Sequence, residues 1–459
     1  VTEFNDPLTS FIEAACVPLD SGHQTGTLDR AEAIRAAHPE LATASIHAAA
    51  ILGDAEAVQR FIAADPQSAT SKGGPRGWDA LTHLCFSRYL RLDPARSEGF
   101  VRAAEALLNA GASANTGFFE STHQPTPVWE SALYGAAGVA HHPGLTRLLL
   151  ERGADPNDEE VPYHAPETYD NAALKVLVES GTLNEDSLAT ILLRKADWHD
   201  REGIGWLLAR GVNPNRMTRF GKTALHQAVL RDNALEIIKA FLDHGADPML
   251  IAPPAESSKR LASDRSPVAL AARRGRGDVL DLLARRGMPL GLEGLDRLLA
   301  ACARNDLMCV FSIANREPEV VRALLAEGGT VLSEFAGNGN TIGVEHLLDL
   351  GVAVTALYTT GDPYFGIAEN STALHVAAWR AQHETVKLLI DRGAPVDARN
   401  GRGETPLMLA VRACVDSYWT YKRSPASVEA LLGAGASIEG VRFPSGYSDV
   451  DRLLEVARR

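Results

Sequence analysis

An internal repeat is the feature that most limits what this chain can fold into. Segments 106–112, 148–154, 207–211, 241–246, 388–394 and 430–436 each run from apolar residues, such as Leu148 and Leu149, to a glycine, such as Gly153. That pattern reads as a helix whose apolar face stops at a residue able to take the left-handed C′ conformation without a Cβ penalty. A second pattern precedes it. Segments 223–229, 372–378 and 405–411 open on Thr, continue through Leu, and carry small residues such as Ala377 and Ala378; segments 45–50 and 266–272 are degraded copies opening on Ser. Thr or Ser caps a helix, Pro suits its first turn, and the small residues let a neighbouring helix approach closely.

This two-part unit resembles the ankyrin repeat, whose inner helix opens Thr-Pro-Leu-His-x-Ala-Ala and whose outer helix is followed by Gly-Ala-Asp-Pro-Asn. Residues 153–157 and 245–248 match the closing element. The resemblance implies an all-α helical solenoid of about twelve helix pairs, with long loops and terminal caps, of a bacterial type with irregular repeats and insertions. It also implies that His47, His226 and His375, at the His of the motif, bond loop backbone and order the stack.

Spacing organises the chain. Gly211 and Gly245 lie 34 residues apart, near the family period of about 33. Gly111 to Gly153, Gly245 to Gly287, Gly351 to Gly393 and Gly393 to Gly435 are each 42, which requires insertions. These fall between repeats at 250–264 and 357–370, and between the helices of a repeat at 89–99 and 415–425. Segments 51–66 and 303–318 keep the shape of a turn, a second helix and a Pro-marked exit without the signature. Gly328 and Gly351 are only 23 apart, so an additional helix is expected at 319–327. The expected divisions are a degenerate N-terminal repeat or cap at 1–43, repeats at 44–292, degenerate repeats at 293–352, repeats at 353–440, and a C-terminal capping helix at 441–459.

Bulk properties narrow the partners. Hydrophobic content is 45% and charged content 22%, which suits a folded chain. The formal net charge of -13 repels phosphate backbones, so no nucleic-acid partner is expected. No run of 18 apolar residues suggests a membrane span. Residues 1–7 lack the basic and apolar regions of a secretory signal, and Val1 reads as a GTG start taken literally, which would make the chain nearly complete. Five scattered cysteines, none spaced CxxC, suit a reducing compartment, so a cytoplasmic location is expected.

Catalytic signatures are missing: there is no GxxxxGK[ST], GxSxG or HExxH. His383 and Glu384 begin a zincin motif, but Lys387 stands where its second His belongs. The Gly-rich run 337–343 reads as a tight turn between helices, and His141-His142 as a turn ahead of Pro143. Asp6 and the pair Glu159-Glu160 read as solvated surface. No catalytic residue, metal ligand or cofactor is expected.

Two constellations suggest binding. Aligning the inner helices places Arg231, Arg274, Arg304 and Arg380 at one position bordering the groove, with Arg273 and Trp379 one residue earlier and Arg412 close by. Spaced by about 10 Å, they would form a basic ladder suited to an acidic feature on a partner. Charge reversal at Arg231, Arg274 and Arg380 is then expected to abolish binding with little change in melting temperature. Loop aromatics, Tyr364 and Phe365 beside Trp379 foremost, are the second constellation. They serve either as anchors for a partner or as small cores under folded-back insertions. The reading is an interaction scaffold for a protein or peptide. Its competitors are an enzyme or small-molecule binder whose pocket is roofed by the insertions, and a secreted effector.

Overall fold

The computed structural model describes residues 6–19, 21–122, 126–251 and 265–459. These divide into two compact units, one of residues 1–228 with 243–246 and one of 229–242 with 247–459. Regular structure is overwhelmingly helical. Among the described residues the only multi-residue strands form two antiparallel hairpins, Gly117–Glu120 with Val128–Ser131 and Leu357–Tyr358 with Ser371–Thr372. The fold is an all-α helical solenoid.

One repeat of the second unit shows how the local sequence builds it. The inner helix Ala373–Trp379 starts at Thr372, whose hydroxyl accepts the His375 amide at 3.4 Å. Leu374, Ala377 and Ala378 are buried on it, and the outer helix His383–Asp391 lays Val386 and Leu389 against them. Gly393 then adopts φ +81°, and the Ala394 amide closes the helix end on the Leu389 carbonyl at 2.9 Å. Equivalent closures join Ala154 to Leu149 and Ala436 to Leu431, both at 3.0 Å. In the next repeat Thr405 caps Pro406–Val415 through the Met408 amide. Thr405→Ala is expected to cost about 1 kcal/mol in urea unfolding; an unchanged midpoint would show that the cap contributes nothing.

His375 Nε2 bonds the carbonyls of Ala398 and Glu404 at 3.0 and 3.1 Å, and His47 Nε2 bonds that of Ser71 at 3.1 Å. His226 Nδ1 bonds the Thr223 hydroxyl at 2.7 Å, as His375 Nδ1 bonds that of Thr372 at 2.8 Å. His142 caps the helix Pro143–Glu151 through the Leu145 amide at 3.0 Å, and Asp6 caps Pro7–Ala15. The run 337–343 is the turn between the helices Pro318–Gly337 and Thr341–Asp349.

Other segments depart from the sequence reading. No separate helix ends at 327: Pro318–Gly337 is one 20-residue helix and serves as an inner helix. Gly328 and Gly329 lie inside it for a packing reason. A Cβ on Gly328 would come within 2.9 Å of Val352, and one on Gly329 within 2.2 Å of the Leu357 carbonyl. Glycine here admits the following loop rather than stopping the helix. The insertion at 89–99 is mostly helical, with Arg88–Leu92 and a 3-10 turn Pro94–Arg96, and that at 415–425 holds a 3-10 turn Tyr418–Lys422. Of the insertion at 250–264, residues 252–264 lie outside the described residues, as does the chain start at 1–5. No helix among the described residues is long and apolar enough to cross a membrane.

Candidate functional site

In the second unit the turns that link inner to outer helices come together. The first turn residue is left-handed: glycine at Gly275 and Gly339, but Asp232, Asn305 and Ala381 elsewhere, at φ 52°, 58° and 53°. The Asn340 amide nitrogen donates to the Gly275 and Ala303 carbonyls, both at 2.8 Å, and that of Asn338 to the Arg274 carbonyl at 2.9 Å. Turns distant in sequence therefore meet, and the evenly spaced arginine ladder is replaced by a cluster.

Asp232 is its centre, with a side chain only 4% exposed. Arg274 donates to it through Nε at 2.7 Å and Nη2 at 2.6 Å, and Arg380 through Nη1 at 2.8 Å. Arg274 Nη1 also pairs with Glu334 at 2.9 Å, and Tyr358 donates its hydroxyl to Glu334 at 2.8 Å. Burial alone would raise the Asp232 carboxyl, but the Arg274 and Arg380 guanidiniums hold it well below the usual carboxylate range. Glu334 is pushed up by burial, which Arg274 only partly offsets.

Aromatic rings enclose the arginines. The Arg380 guanidinium lies 4.3 Å from the Phe365 ring centre and 4.8 Å from that of Trp419, with Arg274 5.3 Å from Phe365. Phe365 and Trp419 are buried with Tyr358, Ile367 and Val376, and Trp379 packs on them and donates its indole N–H to the Phe365 carbonyl at 2.6 Å. Arg412, paired with Glu404, covers Trp379 at 4.4 Å. Arg231 covers Tyr364 at 3.6 Å, and Tyr364 is 39% exposed. Arg231, Arg274, Tyr364, Phe365, Trp379, Arg380 and Arg412 thus share one neighbourhood. Arg273 is engaged apart from it by Asp296 at 2.6 Å and Glu327 at 2.5 Å, and Arg304 by Asp281 at 2.7 Å.

This geometry revises the charge-reversal expectation. Glutamate at 274 or 380 would set a new anion against buried Asp232, so the fold itself would suffer, and both arginine side chains are buried. Asp232 and Glu334 were not singled out from the sequence. The one local signal was Asp232 standing where other repeats carry turn glycines.

Beside the cluster lies a cavity of about 500 Å³, lined by Arg276, Arg304, Arg380 and Lys422 against Asp232, Asp278 and Asp281. Burial, and then the Arg380 charge, lower the Lys422 ammonium. The 3-10 turn of the 415–425 insertion contributes Trp419, Tyr421 and Lys422 to its wall. No Ser, His or Cys is among the described lining residues, and no group of three His, Cys, Asp or Glu residues suited to a metal occurs among the described residues. The site presents fixed cations and carboxylates together with aromatic faces.

The comparisons with known proteins agree with this architecture. The family profile "Ankyrin repeats (3 copies)" matches residues 192–293, 298–400 and 332–439, together more than half of the chain. The chain is 30% identical over 244 residues to human ankyrin repeat and SOCS box protein 16, covering 50% of this chain and 51% of that protein. It is 46% identical over 67 residues to human ankyrin repeat and SOCS box protein 18, covering 15% and 13%. The chain thus spans about half or less of the length of the curated relatives it matches. The solved human ASB11 ankyrin repeat domain is similar at 22% identity and a TM-score of 0.25, covering 60% of this chain and 96% of that one. On the profile match over more than half its length, the chain belongs to the ankyrin repeat family.

Proposed function

We propose that the chain is a protein-binding scaffold whose second unit grips a protein or peptide through a ridge of aromatic and arginine side chains. The ridge consists of Tyr364 on Arg231, Trp379 under Arg412, and the exposed rings of Tyr418 and Tyr421. One observation carries this reading. Tyr364 and Tyr418 are exposed while the adjacent residues, Phe365 and Trp419, are buried and hold the two insertions in place. Anchors presented on locked loops lose little conformational entropy on binding, and tyrosine beside arginine is a favoured hot-spot composition. Arg231 and Arg412 are half-buried and on the rim, so an acidic feature of the partner would meet these two.

A partner recovered with the wild-type chain is expected to bind Tyr364→Ala and Tyr421→Ala variants at least tenfold more weakly, the loss of about one hot-spot contact. Their melting temperatures should match wild type. Full affinity in both variants would remove the ridge from the interface.

A further inference from the structure

The first unit contains an acidic pocket that the binding reading does not use. The hairpin strands contribute Glu120 and Glu130, the segment before the helix Asp29–Ala37 contributes His23, and Tyr134, Glu160 and His164 also line this cavity of about 270 Å³. Glu160, expected on solvated surface, instead has a side chain 13% exposed and pairs with His164 at 3.1 Å. Glu167 holds the other nitrogen of that ring at 2.8 Å. The His164 charge is therefore already matched by two carboxylates.

Glu120 and Glu130 each keep one buried oxygen without a hydrogen-bond partner among the described residues. Oε1 of Glu120 accepts the Thr122 amide at 2.9 Å and hydroxyl at 2.8 Å. Its Oε2 is buried with no hydrogen bond among the described residues and forms an ion pair with His23 Nε2 at 3.6 Å. Glu130 is 1% exposed, and its Oε2 also has no hydrogen-bond partner among the described residues. A buried carboxyl oxygen without a hydrogen-bond partner is unfavourable, and a ligand that supplies a donor relieves it.

We propose that this pocket binds an organic cation bearing N–H donors, a primary ammonium or a guanidinium, which donates to Oε2 of Glu130 and Oε2 of Glu120. The carboxylates supply charge and acceptors, and the Tyr134 ring supplies an aromatic wall for the carbon chain. The cavity has room for one small cation rather than a peptide segment, being several times the volume of a water molecule. The absence of a metal-ligating trio among the described residues favours an organic cation over a metal ion. The site lies in the first unit and is tested with small molecules, so it stands or falls separately from the ridge.

Burial foremost, and then the Glu160 charge, push the Glu130 acid up to about 8, with Glu120 and Asp158 adding and His164 opposing. Near neutral pH this environment favours the protonated form of Glu130. A bound cation favours the carboxylate, so binding should release a proton from Glu130 to the buffer.

Titration calorimetry of the full chain at pH 7 with Nα-acetyl-lysinamide, and separately with putrescine, tests the site. At least one probe is expected to bind saturably, with a heat that varies with the ionisation enthalpy of the buffer. Glu130→Gln should weaken it tenfold or more, abolish the buffer dependence, and leave the melting temperature unchanged or higher. Tighter binding of the lysine derivative assigns the cation to a side chain of another protein, and tighter putrescine binding to a free amine. Should Glu130→Gln lower the melting temperature, Glu120→Gln is read for affinity in its place. No saturable binding of either probe, or full affinity in the variant read, overturns the proposal.

Discussion

Asp232→Ala is expected to destabilise the second unit by about 3–5 kcal/mol, the usual cost of removing one partner from a buried ion pair. The substitution removes two hydrogen bonds from Arg274, which keeps Glu334, and one from buried Arg380. It also loosens the meeting of turns far apart in sequence, for Arg380 reaches Asp232 across 148 residues. Urea unfolding measures the loss, and amide exchange in the helix Pro267–Arg273 reports whether it is local. A change below about 1 kcal/mol would mean that the arginines find solvent or other acceptors at no cost.

The same residue makes a pH prediction. Its folded pKa is depressed, so its contribution is present above the unfolded value of about 3.9 and lost as pH falls toward the folded one. Glu334 acts with opposite sign, because burial raises it and favours its neutral form. Wild type should therefore lose stability more steeply than Asp232→Asn as pH falls below about 4. Parallel acid profiles would show that Asp232 gains nothing from its arginines.

Phe365→Ala is expected to cost a further large amount, about 3–5 kcal/mol. Phe365 is 7% exposed and serves as the floor for Arg380 and Arg274 while packing with Trp419 and Tyr358. Truncation opens a void beneath buried charges and detaches the loop carrying Tyr364 from the helix carrying Trp379. Tyr364→Ala, one position away, should stay within about 0.5 kcal/mol of wild type, as surface changes usually do. A Phe365→Ala variant with wild-type unfolding and lost partner binding would return Phe365 to the role of a recognition anchor.

How much was legible beforehand follows from the range of each interaction. Thr372 and Thr405 as caps, Gly153 and Gly393 as helix ends, and His375 as a tie to the next loop act within a few residues or one repeat. Their pattern recurs, so the architecture could be read from it. The candidate site was half legible. The alignment placed Arg231, Arg274 and Arg380 at one inner-helix position, and the aromatic content of the insertions marked Tyr364 and Phe365. Missing was the carboxylate that Arg274 and Arg380 share, because Asp232 looks like an ordinary turn residue until a turn four repeats later arrives beside it.

Repeat identity, helix type and the ends of the regular repeats were determined by the sequence alone, since capping, glycine conformation and apolar periodicity are local physics. Tertiary structure alone decided whether a given side chain meets solvent or another side chain. It made Gly328 a packing glycine instead of a stop, gave Arg274 and Arg380 an internal carboxylate instead of an external one, and left Oε2 of Glu130 buried without a donor among the described residues. Burial and electrostatic pairing depend on which distant segments come within a few ångströms, and no single repeat carries that information.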